Sequence, residues 1–281
     1  MKANYKLAAF VLLGALPAFS QTPHRSLSSL FNSNLAFYLP APDSTPISNT
    51  VVNTAGGTPT IAPNTWLEIH GSNLAQTTET WSNADFSKGL PTSLGGVTAT
   101  INGKQAAIYY ISPTQLNVLG PVDTAAGPVS VQVTTAYGTT APLNPTEQAI
   151  APGFLEFDAP TGHVTSTHLD YSLLGPSSLS QPGYVFTPAK PGETVVLYAT
   201  GFGQPNPPIA NQLTGTGPLP TLPAVTIGGL PAQVSFAGLV SPGLYQFNVV
   251  IPPSAPNGDL PLSALYNGVS TQSGVLITVH N

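Results

Sequence analysis

The sequence predicts an all-β protein built as two tandem antiparallel β-sandwiches. Its 281 residues include 31 prolines and 27 glycines but only 6% charged residues. Because proline and glycine end helices and occupy turns, this composition excludes a long helical bundle. Short runs of β-forming residues recur along the chain, several of them ending at a glycine. A chain of this length holds two domains of ordinary size, and the runs recur from one half to the other.

Residues 1–20 have the form of a secretory signal peptide. Lys2 and Lys6 precede the apolar run 7–16, and Ala18 and Ser20 are small residues at positions that a signal peptidase reads. This run is too short to span a bilayer, and no later run approaches the roughly 20 apolar residues of a membrane helix. We therefore predict a secreted or extracytoplasmic protein, in the periplasm or at the cell surface, with no transmembrane segment in the mature chain.

Charge and cysteine content exclude further classes of protein. Removing residues 1–20 leaves four basic residues against 11 acidic ones, a net charge near −7. Such a chain is not expected to bind nucleic acid, whose partners carry basic patches. The sequence has no cysteine, which excludes disulfides and a lipid-modified N-terminal cysteine. An exported chain without disulfides suggests a bacterial source.

The first half begins with a polar segment and continues with regular strands. We interpret residues 21–49 as a flexible leader with at most one strand, and 50–150 as the first sandwich. Leu67 and Ile69 are predicted to face its core, because in a half-buried strand they alternate with outward residues. Those outward residues are Trp66, Glu68 and His70.

Turn residues divide the rest of the first sandwich. Asn102 and Gly103 separate the β-forming runs 97–101 and 105–111, and an Asn-Gly turn predicts a hairpin between them. A long polar loop, 72–96, precedes this hairpin.

The second sandwich is predicted over 151–281 and is organised around residues 188–203. That stretch reads as a turn, a strand and a glycine-bounded exit. Residues 154–158 and 163–171 are predicted to form a hairpin before it, followed by a loop over 173–187. A second long loop, 204–223, follows it.

The two halves share their turns and strand starts at an offset of 126 to 131 residues. An offset this constant predicts an internal duplication. Each copy has the short strands and turn signals of an antiparallel sandwich. The matching pairs are Ile101 with Ile227, Ser112 with Ser241, Gln115 with Gln246, Asn117 with Asn248, and Gly127 with Gly258.

Over residues 65–73, 97–106, 112–117 and 127–133, the first copy resembles an IPT/TIG domain. This is an immunoglobulin-like fold found in cell-surface receptors, transcription factors and bacterial surface proteins. The resemblance implies that the predicted fold class is two tandem immunoglobulin-like antiparallel β-sandwiches after a cleaved signal peptide.

The second copy resembles an uncharacterised C-terminal domain family of secreted proteins from soil acidobacteria, over residues 152–279. That resemblance implies export, the same fold and a role as an appended module, and it brings no known catalytic residue. It rests on residues 168–171, 188–203, 225–232, 243–249 and Gly258.

Candidate chemistry is sparse. No nucleophile elbow, HExxH helix or EF-hand loop occurs, and prolines 205, 207 and 208 prevent a phosphate-binding helix after Gly203. The densest set of potential metal ligands falls within fifteen residues and would suit zinc or calcium only if the hairpin brought it together. We expect structural roles for it and predict no metal, cofactor or catalytic residue. The set comprises Glu156, Asp158, His163, His168 and Asp170.

Three aromatic residues are the candidate binding residues. Trp81 and Phe86 lie on the first long loop, where an aromatic side chain has no obvious core role and functional residues concentrate. Folding of that loop back over the sandwich edge is the alternative for both. Trp66 points to the outer face of its strand, and either an exposed anchor or burial against a neighbouring strand or domain accounts for it. Polar rows formed by Gln115 and Asn117, and by Gln246 and Asn248, are interpreted as structural because both copies have them.

We therefore predict an exported, non-enzymatic adhesion or protein-interaction module at or outside the cell envelope. Its partner would be an envelope or extracellular protein, bound through edge strands or the long loops. A carbohydrate-binding protein that stacks glycans on the loop aromatics is the alternative. A metal-dependent hydrolase built on residues 156–170 is the third hypothesis.

Overall fold

A computed structural model describes residues 44–82, 89–123, 126–158 and 161–281, with only the backbone of Asp158. The predicted signal peptide and residues 21–43 of the predicted leader lie outside these ranges, as does Phe86. In the same ranges, no helix is both long and apolar enough to cross a membrane.

Thirteen short strands surround the first hydrophobic core. They are β1 (Ile47–Asn53), β2 (Thr60–Ile61), β3 (Trp66–Ser72), β4 (Glu79–Thr80), β5 (Ser93–Leu94), β6 (Val97–Ile101), β7 (Lys104–Gln105), β8 (Ala107–Ile111), β9 (Gln115–Leu119), β10 (Gly127–Pro128), β11 (Val131–Thr135), β12 (Gly138–Thr139) and β13 (Thr146–Glu147).

The pairing of these strands has immunoglobulin topology. One sheet has the order β1-β3-β9-β8-β4, and the facing sheet has the order β12-β11-β6-β5. If β1, β3, β6, β8, β9, β11 and β12 are lettered A to G, the sheets contain A-B-E-D and G-F-C, which is the order of a constant-type immunoglobulin domain. The inner faces enclose a core that includes Leu67, Ile69, Leu116 and Val118, as alternation along β3 predicts.

The second group of strands follows in the same manner, with one short 3-10 helix (Ser177–Leu179). They are β14 (Gly153–Phe154), β15 (Glu156–Asp158), β16 (His163–Val164), β17 (Ser166–His168), β18 (Leu173–Leu174), β19 (Phe186–Thr187), β20 (Thr194–Thr200), β21 (Gly217–Pro218), β22 (Ala224–Ile227), β23 (Leu230–Ser241), β24 (Leu244–Val250), β25 (Gly258–Tyr266), β26 (Val269–Ser270) and β27 (Leu276–Val279).

The second sandwich repeats the strand order of the first. Strands β14, β20, β24 and β23 correspond to A-B-E-D, and β22, β25 and β27 to C-F-G. The long strand β23 pairs first with β22 and then with β24, which links the two sheets. The predicted fold class of two immunoglobulin-like antiparallel sandwiches is thus confirmed. The boundaries at 50–150 and 151–281, and the internal duplication, stay predictions.

The geometry of the predicted turn agrees with the prediction from the sequence, but the strand lengths do not. Asn102 and Gly103 have positive φ angles of 51° and 73°, as a two-residue hairpin turn requires. After this turn, however, only the two-residue strand β7 pairs back with β6. The chain then crosses to the other sheet, where it continues as β8. The predicted strand 105–111 is therefore two strands, because Ala106 between them is fully buried and the chain changes sheets there.

The predicted leader and all three predicted loops contain strands. Strand β1 begins at Ile47, inside the predicted leader, because it pairs with β3 across the sheet. The loop 72–96 contains β4 and β5, and 204–223 contains β21. The loop 173–187 contains β18, β19 and the 3-10 helix. These strands are two residues long in the loops, too short for a period-two pattern to reveal.

Thr200 joins the two sandwiches at their contact. Its hydroxyl donates to the Gly243 carbonyl at 2.8 Å and accepts from the Trp66 backbone N–H at 3.3 Å. The Trp66 indole N–H donates to the Pro242 carbonyl at 2.9 Å. Asn53, which is buried, donates to the Ala151 carbonyl at 2.8 Å. These buried bonds fix the first sandwich against the β23-β24 turn and the start of the second sandwich.

Replacing Thr200 with valine is expected to destabilise the protein by about 2 kcal/mol or more. Valine keeps the volume but leaves the buried Gly243 carbonyl and Trp66 N–H without their shared partner. Urea unfolding of the variant measures the loss. Thr226→Val, which removes an exposed hydroxyl bond to Ser263, is the control and should change stability by less than about 0.5 kcal/mol. Equal losses would contradict a buried bridge at Thr200.

Candidate functional site

The outer surface of the five-stranded sheet carries a row of side chains that crosses every strand. Neighbouring strands lie about 4.8 Å apart, so a row across five strands spans roughly 19 Å. Its members, each paired with the next in the sheet register, are Val52, Glu68, Asn117, Tyr110 and Thr80.

A second cross-strand pair and one aromatic ring lie beside this row. His70 pairs with Gln115 beside the first row, and the backbone of Trp81 bonds to the Tyr109 carbonyl at the β8 edge. We define the polar-aromatic face as Glu68, His70, Gln115, Asn117, Tyr110 and Trp81.

Glu68 and His70 form a pair on this face. The Glu68 Oε2 and His70 Nε2 atoms are 3.0 Å apart, and the two side chains are 21% and 41% exposed. Partial burial raises the pKa of Glu68, and His70 opposes that rise through its charge and its hydrogen bond. The pair thus presents one acceptor and one imidazole side by side, two residues apart on one strand.

Gln115 and Asn117 form an amide pair next to it. The Gln115 side-chain amide donates to the Asn117 side-chain oxygen at 2.7 Å. In the second sandwich, Gln246 donates to Asn248 in the same way at 2.8 Å. Asn117 is almost fully buried, so this bond fixes the orientation of the Gln115 amide. The shared bond supports the structural interpretation for Asn117 and Asn248, whose side-chain oxygens accept it in both sandwiches.

The surroundings of the amide pair differ between the sandwiches. Val196 pairs with Asn248, and Tyr198 pairs with Gln246, where the first sandwich has Glu68 and His70. Val196 and Tyr198 are each 2% exposed and pack with Leu155 and Leu244. The same positions are therefore covered and apolar in the second sandwich but partly exposed and polar in the first.

Trp66 is buried at the contact between the sandwiches. It is 3% exposed, and its ring centroid lies 5.8 Å from that of Trp81 and 6.0 Å from that of Tyr109, both edge to face. Burial against the other sandwich, one of its two interpretations, is thus what the structure shows. Trp66 is not accessible as an exposed anchor.

Trp81 lies at the edge of the same aromatic cluster. Its ring centroid is 5.1 Å from that of Tyr109, and the residue is half-buried, with part of its surface open to solvent. Tyr110 and Leu90 pack against the cluster as well. Trp81 therefore stays a candidate for contact with a ligand, and Phe86 lies outside the described residues.

The predicted ligand set at 156–170 does not come together in the part of the chain that is described. Glu156 accepts from Gln272 at 3.1 Å, and His163 contacts Thr161 at 2.8 Å and lies 3.4 Å from Asp259. Two hydrogen bonds from Ser172 lower the pKa of Asp170. Among the described side chains, no three His, Cys, Asp or Glu residues form a group that could hold a metal ion. The convergence that the hydrolase hypothesis requires is not found there.

His168 has its own partners, distant in sequence. Its Nδ1 atom is 2.5 Å from Glu193 Oε1, and its Nε2 atom is 2.9 Å from the Thr187 hydroxyl and 3.2 Å from the Thr187 carbonyl. The Thr187 hydroxyl, the His168 imidazole and the Glu193 carboxylate thus lie one after another in space, an arrangement that resembles an activated nucleophile. The Glu193 carboxylate and the Thr187 carbonyl both only accept, however, so the imidazole lies between two acceptors and does not face the Thr187 hydroxyl alone. This arrangement clamps β17 to the segment before β20.

An exposed apolar tip was not found from the sequence. Strand β18 pairs with β17 and, in parallel, with β19, so the segments preceding β18 and β19 lie at the same end of these strands. Both segments carry exposed apolar side chains, and β19 pairs only with β18 in the described part of the chain. We name this the apolar tip, formed by Leu169, Tyr171, Tyr184 and Val185.

No family model and no curated protein matches the chain. Among solved structures, it is similar to the SGBP-B protein of a Bacteroides ovatus mixed-linkage glucan utilization locus, in complex with a mixed-linkage heptasaccharide, with 13% identity and a TM-score of 0.32. That similarity covers 84% of this chain and 45% of the other, so the chain spans less than half of that protein.

It is also similar to the Escherichia coli adhesin FdeC, with 11% identity, a TM-score of 0.26 and coverage of 84% of this chain and 66% of that one. Domains 5–6 of the S-layer protein SbsC give 11% identity, a TM-score of 0.25, and coverage of 84% and 99%. Similarities at this level support no inference about function. The assignment of an immunoglobulin-like fold rests on the strand order.

Proposed function

We propose that the chain is an exported, non-catalytic recognition module that acts at or outside the cell envelope and binds its partner on the polar-aromatic face. One observation carries this proposal. The second sandwich covers Val196 and Tyr198 with apolar neighbours, whereas the first leaves Glu68 and His70 partly exposed at the equivalent positions.

The chemistry of the face suits recognition. Planar polar groups on two neighbouring strands, β3 and β9, stand beside two half-buried aromatic residues, Tyr110 and Trp81. Strands hold such groups more rigidly than loops do, which lowers the entropy lost on binding. Export is supported by Lys2, Lys6 and the apolar run 7–16.

The apolar tip supports a second candidate function, adhesion to a protein. Exposed apolar patches and unpaired sheet edges are common sites of protein association. The tip has exposed apolar side chains beside an edge strand, since the exposed Tyr184 and Val185 lead directly into β19. A partner strand added to β19 would bury these side chains.

A pull-down with the mature chain, residues 21–281, tests the proposed function. Envelope proteins and envelope polysaccharides are offered separately to the parent chain, to Tyr110→Ser and to Gln115→Ala. Both variants are expected to retain at least tenfold less of the captured partner. Gln246→Ala, the equivalent change in the second sandwich, is the matched control and should retain the parent level.

Two outcomes would contradict the proposal. If both face variants still capture the partner, binding occurs elsewhere. If Tyr184→Ser then loses capture, the binding site is the apolar tip. Failure to retain either fraction would remove the recognition function itself. Thermal melts of each variant establish that the fold is intact.

A further inference from the structure

The polar-aromatic face is close to electrically neutral. Only two basic residues, Lys104 and Lys190, belong to the described ranges. Lys104 lies in β7 of the opposite sheet, 3.5 Å from Asp123, and Lys190 precedes β20 in the second sandwich. The two ionisable residues of the face, Glu68 and His70, pair with each other. Among the described residues of the face, a polyanion would find no counter-charge, and a polycation would meet a carboxylate that already has a partner.

Its hydrogen-bonding groups suit a ligand rich in hydroxyl groups. A side-chain amide has two donor hydrogens and an acceptor oxygen, and the Gln115 to Asn117 bond uses one donor hydrogen of Gln115. Glu68 adds acceptor oxygens beside them. Donors and acceptors side by side match hydroxyl groups, each of which both donates and accepts.

Two flat rings complete the surface. Tyr110 lies in the cross-strand row next to Asn117, and Trp81 adjoins it at the sheet edge. The C–H faces of a sugar ring pack on aromatic rings while its hydroxyl groups project from the rim. Rings beside amides are therefore complementary to both surfaces of a sugar.

The shape of the face favours an extended ligand. The row of side chains that runs through it, from Val52 to Thr80, spans roughly 19 Å across five strands. One end of these strands is closed, because the Pro242 and Gly243 turn of the second sandwich covers Trp66. The row itself crosses the strands from β1 to β4.

Building on the proposed function, we propose that the polar-aromatic face binds an extended, uncharged polysaccharide laid across the strands. Tyr110 and Trp81 pack beneath sugar rings, and Glu68, His70 and Gln115 bond to hydroxyl groups. Asn117 positions Gln115 and does not itself reach the ligand.

Affinity electrophoresis of the mature chain tests this inference. Native gels contain one soluble polysaccharide each, either neutral (hydroxyethyl cellulose, dextran, galactomannan) or acidic (polygalacturonate, alginate). At least one neutral gel should retard the parent chain. Tyr110→Ser and Gln115→Ala should each lose at least tenfold in the affinity derived from the retardation. Tyr137→Ser removes an exposed aromatic at the β11-β12 turn of the same sandwich and should bind as the parent does.

Retardation only by the acidic polymers would overturn the neutral ligand. Retardation that both face variants retain would overturn the site. No retardation, together with capture of an envelope protein that depends on Tyr110, would overturn the polysaccharide but leave the proposed function standing. If Tyr110→Ser unfolds at a lower temperature than the parent chain, Gln115→Ala alone decides between these outcomes.

Discussion

Replacing Gly201 with alanine is expected to destabilise the protein by more than about 3 kcal/mol. Gly201 directly follows β20 and has a φ of 80°, a left-handed conformation that costs an alanine about 1 kcal/mol or more. A Cβ atom there would lie 1.9 Å from the Ala151 carbonyl oxygen. The backbone must shift to relieve this contact, which breaks the 2.9 Å bond from the Ala151 N–H to the Gly201 carbonyl.

Gly229→Ala is the matched control for this prediction. Its φ of 78° is nearly the same, but a Cβ atom there meets nothing within 4 Å. Only the conformational cost, about 1 kcal/mol, is expected. Urea unfolding of both variants gives the comparison. Losses that agree within error would show that crowding at Gly201 contributes nothing.

Glu147 is expected to make the protein less stable as pH rises. It is 2% exposed in β13, and its Oε2 atom has no hydrogen-bond partner among the described residues. Burial, aided by the negative charge of Asp123 and opposed by Lys104, raises the pKa of Glu147 from 4.5 to about 7.

Between those two pH values, the folded protein keeps a proton on Glu147 that the unfolded chain has released. The free energy of unfolding therefore falls as pH rises through that window, by at most about 3 kcal/mol. Glu147→Gln should remove this loss, so the variant is more stable than the parent at pH 8 and similar to it at pH 4.5.

Urea unfolding between pH 4 and 8 measures the effect. Asp123→Asn removes the neighbouring negative charge, so the pKa of Glu147 should fall and the stability change should move to lower pH. A parent chain whose stability does not fall between pH 4.5 and 7, or a Gln variant that is less stable at pH 8, would contradict a buried proton on Glu147.

Local patterns predicted the fold well. Leu67 and Ile69 were assigned to the core from alternation alone, because a half-buried strand must place every second side chain inward. Asn102 and Gly103 identified a turn, since few residues accept positive φ angles. The repeated offset from Gln115 to Gln246 anticipated the shared amide pair.

Contacts between distant parts of the chain were not predictable in this way. Alternation placed Trp66 on an outer face, and only docking of the second sandwich buries it. His168 was grouped with acids near in sequence, but its partner is Glu193, which the fold brings across from the start of β20. The openness of Glu68 and His70 likewise depends on which sheet face the neighbouring elements cover.

Hydroxyl-radical footprinting of the mature chain, with and without the polysaccharide or protein that it retains, is the most direct test of the polar-aromatic face as the binding surface. Tryptophan, tyrosine and histidine side chains react readily with hydroxyl radicals, so their oxidation measures how accessible the face is. We predict protection of Trp81, Tyr110 and His70, with Tyr137 and Tyr184 unchanged. Protection confined to Tyr171 and Tyr184, with the face unaltered, would contradict the account and place recognition at the apolar tip.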